Sequence, residues 1–155
     1  MRRKSSIKVV LIFVLVILFL GGAGSLLYFF LLPTDEEKAL GVVKEFYYFE
    51  QQANSSSAWE LFHPELQDRF SRDHYIIDRT ELIVNQFGTD TFTYSLSEPE
   101  KIENWKMTAD SQPITVFKII ATLSLIGKYG HFDYIQYTYV TEVDEEWKIL
   151  WDFNT

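Results

Sequence analysis

The 155 residues, 47% hydrophobic and 17% aromatic, suffice for one compact domain with a full core, and the net charge of −8 is unevenly spread. All 22 acidic residues follow Thr34, where only 10 basic residues accompany them, so that part carries −12 and is a poor match for nucleic acid or anionic lipid, both of which need clustered Lys and Arg. The absence of cysteine excludes disulfides and thiolate metal sites.

The chain opens on a basic segment, residues 1–8, with Arg2, Arg3, Lys4 and Lys8. A run of 26 residues without a charge follows, from Val9 to Thr34. It exceeds the ~20 apolar residues that span a bilayer, which predicts a transmembrane helix over 9–33. With "TDEEK" on its far side, the basic end is expected to stay in the cytoplasm and residues 34–155 to lie outside the cell, as the domain of a single-pass membrane protein. A cleaved leader is the rival reading, because "GGAGS" supplies small residues. Cleavage there would leave "LLYFFLL" exposed at the new N-terminus, and an h-region is normally only about 7 to 15 residues long.

Beyond the run, Thr34 stands three residues before Glu37 in a capping-box spacing, and Ala39, Val42, Val43, Phe46, Tyr47 and Phe49 recur at helical intervals up to about Gln52. "NSSS" breaks that pattern and can cap a short second helix, "AWELF", which "HP" interrupts. A third helix is expected from near Ser71 through "HYIIDRTELIVNQF", with Gly88 as its stop. From Thr89 β-branched and aromatic residues take over, predicting short strands over 91–97 and 101–107 and long ones over 114–126, 131–143 and 146–153.

A four-residue loop "GKYG" sets Ile126 opposite His131, and a tight turn at Asp144 and Glu145 repeats the swap of parity. One face then collects Phe117, Ile119, Ala121, Leu123, Leu125, Phe132, Tyr134, Gln136, Thr138, Val140, Trp147, Ile149, Trp151 and Phe153, and should lie under the helices. The expected class is α+β, with an N-terminal transmembrane helix followed by a cone-like domain of three helices packed on a curved antiparallel sheet. Such a plan resembles the nuclear transport factor 2-like superfamily. The stretch "GKYGHFDYIQYTYVTEVDEEWKILWD" is more specifically similar to the non-catalytic, membrane-proximal domain at the N-terminus of methicillin-resistance-type penicillin-binding proteins. Those proteins continue into a transpeptidase domain that residues up to Thr155 do not include, so the resemblance implies no such activity. Anchored cones of this kind also occur in conjugation and secretion assembly factors, and soluble ones include ketosteroid isomerase.

Two surfaces are candidates. On the inner face Tyr134, Gln136, Thr138 and Trp151 could line a small lipophilic pocket, although buried polar groups of this sort are usually satisfied by neighbours in a filled core. On the outer face Ile120, Ile135, Tyr137, Tyr139 and Leu150, rimmed by Lys118, His131, Asp133, Lys148 and Asp152, have the composition of a protein interface, for a second copy or another envelope protein. Cross-strand pairing on a merely exposed sheet is the bland alternative. His74 and Asp78, at i,i+4, are the one acid–base pairing on offer, and a surface ion pair is the commoner outcome of that spacing. Three scattered histidines support no metal site, no motif points to a cofactor, and a non-catalytic role is expected.

Overall fold

The computed structural model describes residues 13, 16–19 and 32–154, and the chain divides into two units, residues 1–34 and 35–155. In the first unit, residues 13 and 16–19 are helical and exposed. Most of the predicted span over 9–33 lies outside the described residues, among which no helix is long and apolar enough to cross a membrane.

The second unit is α+β. Helices α1 (Asp35–Gln51), α2 (Ser55–Glu60), α3 (Pro64–Arg69) and α4 (Arg72–Thr80) lead into a π-helix (Glu81–Phe87), and an antiparallel sheet follows. Its strands are β1 (Thr93–Leu96), β2 (Glu100–Trp105), β3 (Ile114–Gly127), β4 (Gly130–Val143) and β5 (Glu146–Leu150). β3, β4 and β5 run in order, while β1 and β2 share the free edge of β3 end to end. The expected registers are those found: Ile126 pairs with His131, Phe117 with Val140 and Val143 with Glu146. Asp144 and Glu145 both take positive φ, 51° and 67°, the type I′ geometry that a two-residue hairpin requires.

Alternation along β3 places Phe117, Ile119, Ala121, Leu123 and Leu125 on one buried face. α1 lays Ala39, Val43, Phe46 and Tyr47 into the same core, because these positions share one stripe of a 3.6-residue period. Trp147 packs on Phe117, and Trp151 lies among Phe62, Phe70 and Tyr75, so both indoles belong to the helix-covered side. Gly127 permits the closest approach to the helices: a Cβ there would sit 1.9 Å from the Phe87 carbonyl oxygen.

The helical layer differs from expectation in two places. The second helix does end before "His-Pro", at Glu60, but that dipeptide also starts a further helix, α3. His63 is extended and its Nδ1 accepts from the Glu65 N–H at 3.1 Å, with Pro64 in the first turn where its missing donor costs nothing. The third predicted helix does run from Ser71 to the left-handed Gly88 (φ 70°), but its last seven residues are π-helical.

The cap at His63 needs an unprotonated Nδ1, and burial lowers the imidazole below its ordinary value of 6.5. With the folded-state value below that of the unfolded chain, the neutral ring's contribution is complete above pH ~6.5 and is lost as pH falls through the folded-state value. His63→Asn keeps a capping oxygen without titrating there. Urea unfolding of this variant should match the parent near neutral pH and fall less steeply below it; parallel pH profiles would contradict the role of the cap.

Candidate functional site

On the inner face the two polar candidates of the pocket are bridged by a tyrosine, while Tyr134, Gln136 and Trp151 stay partly buried. α1 delivers Tyr47, fully buried, onto the middle of β4, where its hydroxyl lies 3.0 Å from Thr138 Oγ1 and donates to Gln136 Oε1 at 3.3 Å. Burial pushes the Tyr47 phenol far above its usual range, so it stays protonated and acts as a fixed hydrogen-bonding group. Of the four pocket candidates, Gln136 and Thr138 are joined by this one hydroxyl. Tyr134 packs instead on Phe87 at 5.9 Å, and Trp151 is enclosed by the rings around it, with its Nε1 buried and unpartnered among the described residues.

A second polar group in the interior was not anticipated. Glu50 continues the buried stripe of α1, seven residues after Val43, and its carboxylate pairs with Arg79 Nε of α4 while its other oxygen accepts from the Tyr75 hydroxyl at 3.0 Å. Both charged side chains are buried. Burial works against the charge of Arg79, but the Glu50 carboxylate more than restores it, so the guanidinium stays cationic. A carboxylate on an otherwise apolar helical stripe was the available signal, since such a group must find a partner. The partner could not be named from spacing, because 29 residues separate the two.

The outer face is smaller than expected. Ile135 and Tyr137 are open, at 56% and 52% exposure, with Ile120 half-buried beside them. Tyr139 and Leu150 are corrections: both are buried, at 7% and 0%. A β-bulge between Ile102 and Trp105, with Asn104 at φ 57°, turns the end of β2 so that Trp105 stacks on the Tyr139 ring at 4.6 Å. The chain then crosses this end of the sheet, since the carbonyl of buried Met107 accepts from the Phe153 N–H beyond β5. The remaining patch has Lys118 at one end, its ammonium 5.5 Å from the Tyr137 ring centre, and Asp133 at the other, held by Ser124. Among the rim residues, Lys148 is turned to Glu146 and the Glu60 carbonyl, Asp152 accepts from Asn154, and His131 is exposed.

His74 and Asp78 are exposed, and no ion pair joins them among the described residues. No group of His, Asp and Glu able to hold a metal ion is found among those residues. In comparisons with known proteins, no family model and no curated protein matches the chain.

Tyr47→Phe tests this bridge. Thr138 loses its buried hydroxyl partner and Gln136 a donor, which should cost about 1–3 kcal/mol of unfolding free energy. An unchanged denaturation midpoint would mean that the hydroxyl is dispensable there.

Proposed function

We propose that this chain is a membrane-anchored, non-catalytic binding module of the nuclear transport factor 2-like kind, which presents its domain outside the cell and pairs with a second copy through the open face of its sheet. The observation that carries the reading is the exposure of Ile135 and Tyr137 on β4, beside β3 and beyond the Tyr139–Val143 stretch that pairs with β5, on a face where polar residues are the norm. The patch is self-complementary. Rows Thr122/Ile135 and Ile120/Tyr137 lie between Asp133 at one end and Lys118, already paired with Glu100 at 3.2 Å, at the other, so a two-fold axis lying in the face between them would bring each lysine to share the other copy's aspartate. Membrane anchorage rests on the uncharged run of residues 9–34 and on the basic residues before it.

A carrier or enzyme working through the interior is the weaker reading, because Tyr47 occupies Gln136 and Thr138. The acid–base candidates His74 and Asp78 are exposed rather than gathered in an apolar recess. With ten basic against 22 acidic residues after Thr34, two copies repel at long range, so pairing should strengthen as salt screens that charge.

The chain has no cysteine, so a single introduced one reports its own contacts. Thr122→Cys in the full chain, oxidised in native membranes, should yield a disulfide-linked dimer, and adding Tyr137→Glu should abolish it while the domain stays folded. Tyr139→Glu should instead unfold the domain, because it places a charge beneath Trp105. No dimer from Thr122→Cys, or an equal yield with Tyr137→Glu, would refute pairing through this face.

A further inference from the structure

β5 pairs with β4 only from Tyr139 to Val143, so residues 131–137 of β4 have β3 on one side and no strand on the other. The direction of the backbone groups there follows from two neighbours. The Ile120 carbonyl accepts from the Ser97 N–H just past β1, and Ile149 directs both its N–H and its carbonyl to Leu61 and His63, away from β4. Even positions of β4 therefore bond to β3, and the N–H and C=O groups of Asp133, Ile135 and Tyr137 point to the open side. No hydrogen bond to them forms there among the described residues, and His131, Asp133, Ile135 and Tyr137 are all exposed.

The other edges of the sheet are covered or blunted, the usual defence against unwanted pairing. Ile149 holds residues 61–63 along β5 by two hydrogen bonds of 2.9 Å, β1 is four residues long, and β2 carries Lys101, Glu103 and a bulge. The stretch "HFDYIQY" of β4 has no proline, no lysine and no bulge in its pairing with β3. At ~3.4 Å per residue it offers an open edge of about 20 Å. Only another extended backbone matches its alternating donors and acceptors.

A second copy fits this edge poorly. Set antiparallel over residues 131–137, it would bring its own Leu150, paired with Tyr139, to the place of Tyr129 in the hairpin turn. The chemistry of the edge describes a separate segment instead. On the helix side an open groove of about 510 Å³, lined by Gln86, Phe87, Lys128, Tyr129 and Phe132, meets the edge at Phe132. A large apolar side chain set opposite Phe132 would enter it. On the other side of the sheet Asp133 accepts from Ser124 through one carboxylate oxygen, which leaves the second for a cation. With 10 basic against 22 acidic residues after Thr34, a basic residue opposite Asp133 is favoured, next to the apolar one.

We infer that the open edge of β4 binds one extended segment of another protein as an added strand, with a lysine or arginine opposite Asp133 and a large apolar residue beside it opposite Phe132. This edge is distinct from the face proposed for pairing two copies, and either can fail without the other.

The probe is the end-capped peptide Val-Thr-Val-Thr-Lys-Phe-Thr, written to run antiparallel with its lysine opposite Asp133, added to the full chain in detergent micelles. Hydrogen exchange read by proton–nitrogen NMR should find the amides of Asp133, Ile135 and Tyr137 fast in the free chain, unlike those of Gln136 and Thr138. Saturating peptide should slow them by about tenfold or more. The third peptide residue turns its N–H to β4 and the fourth turns it away, so N-methylation of the third should abolish binding and of the fourth should leave it. Glutamate in place of the peptide's lysine should weaken binding by about tenfold, and Asp133→Lys should reverse that order. The proposal is overturned if those amides are already protected in the free chain, if the peptide leaves them unprotected, if both N-methylated peptides bind alike, or if Asp133→Lys does not reverse the charge preference.

Discussion

The pairing of β3 with β4 is the constraint on which the rest depends. Because side chains alternate along a strand, a slip of one residue would carry Ile119, Ala121, Leu123 and Leu125 to the open side and bring Lys118 and Ile120 beneath α1. Two turns hold the alignment. Gly130, at φ 95°, closes the first, and Asp144 with Glu145 closes the second in a left-handed geometry without help from glycine. Which side chains of β3 and β4 lie beneath the helices and which stay open follows from the parity set there.

The same parity explains why polar groups of β4 meet α1 in the interior. Thr138 and Gln136 point inward among apolar neighbours, and a buried hydroxyl beside a half-buried amide requires a partner. α1 answers with one phenol that serves both, and one turn later with Glu50, which needs a counter-charge of its own. The network of Glu50, Tyr75 and Arg79 ties α1 to α4 at the edge of the core. Ion pairs of this kind add little net stability over apolar packing but are severely disruptive when one partner is removed. Their better-attested use is to select one arrangement of the helices over near alternatives.

Sheet, registers and caps were legible because each rests on a local rule: alternation in β3 and β4, Asn54 accepting from the Ser57 N–H, and Gly88 in the left-handed region. α3 was missed because His-Pro reads equally as an end or a beginning, and only the side chain of His63 decides. The loss of Tyr139 and Leu150 from the surface was invisible for a different reason. It depends on a bulge at Asn104 and on where the following loop travels, neither of which leaves a periodic trace in the chain. Of the two surfaces drawn from the sequence, the open patch keeps its centre at Ile135 and Tyr137, while on the inner face Gln136 and Thr138 are taken up by Tyr47.

Gly127 carries a consequence of another sort. Its bare Cα lets the tip of the long hairpin rest against the carbonyl at the end of the π-helix, where any larger residue collides with main chain rather than with a movable side chain. Two segments far apart in the chain therefore share a single allowance of space. Among relatives, a substitution at the one should be accompanied by a change of length or course in the other, and that correlated drift would mark the contact even where no coordinates exist.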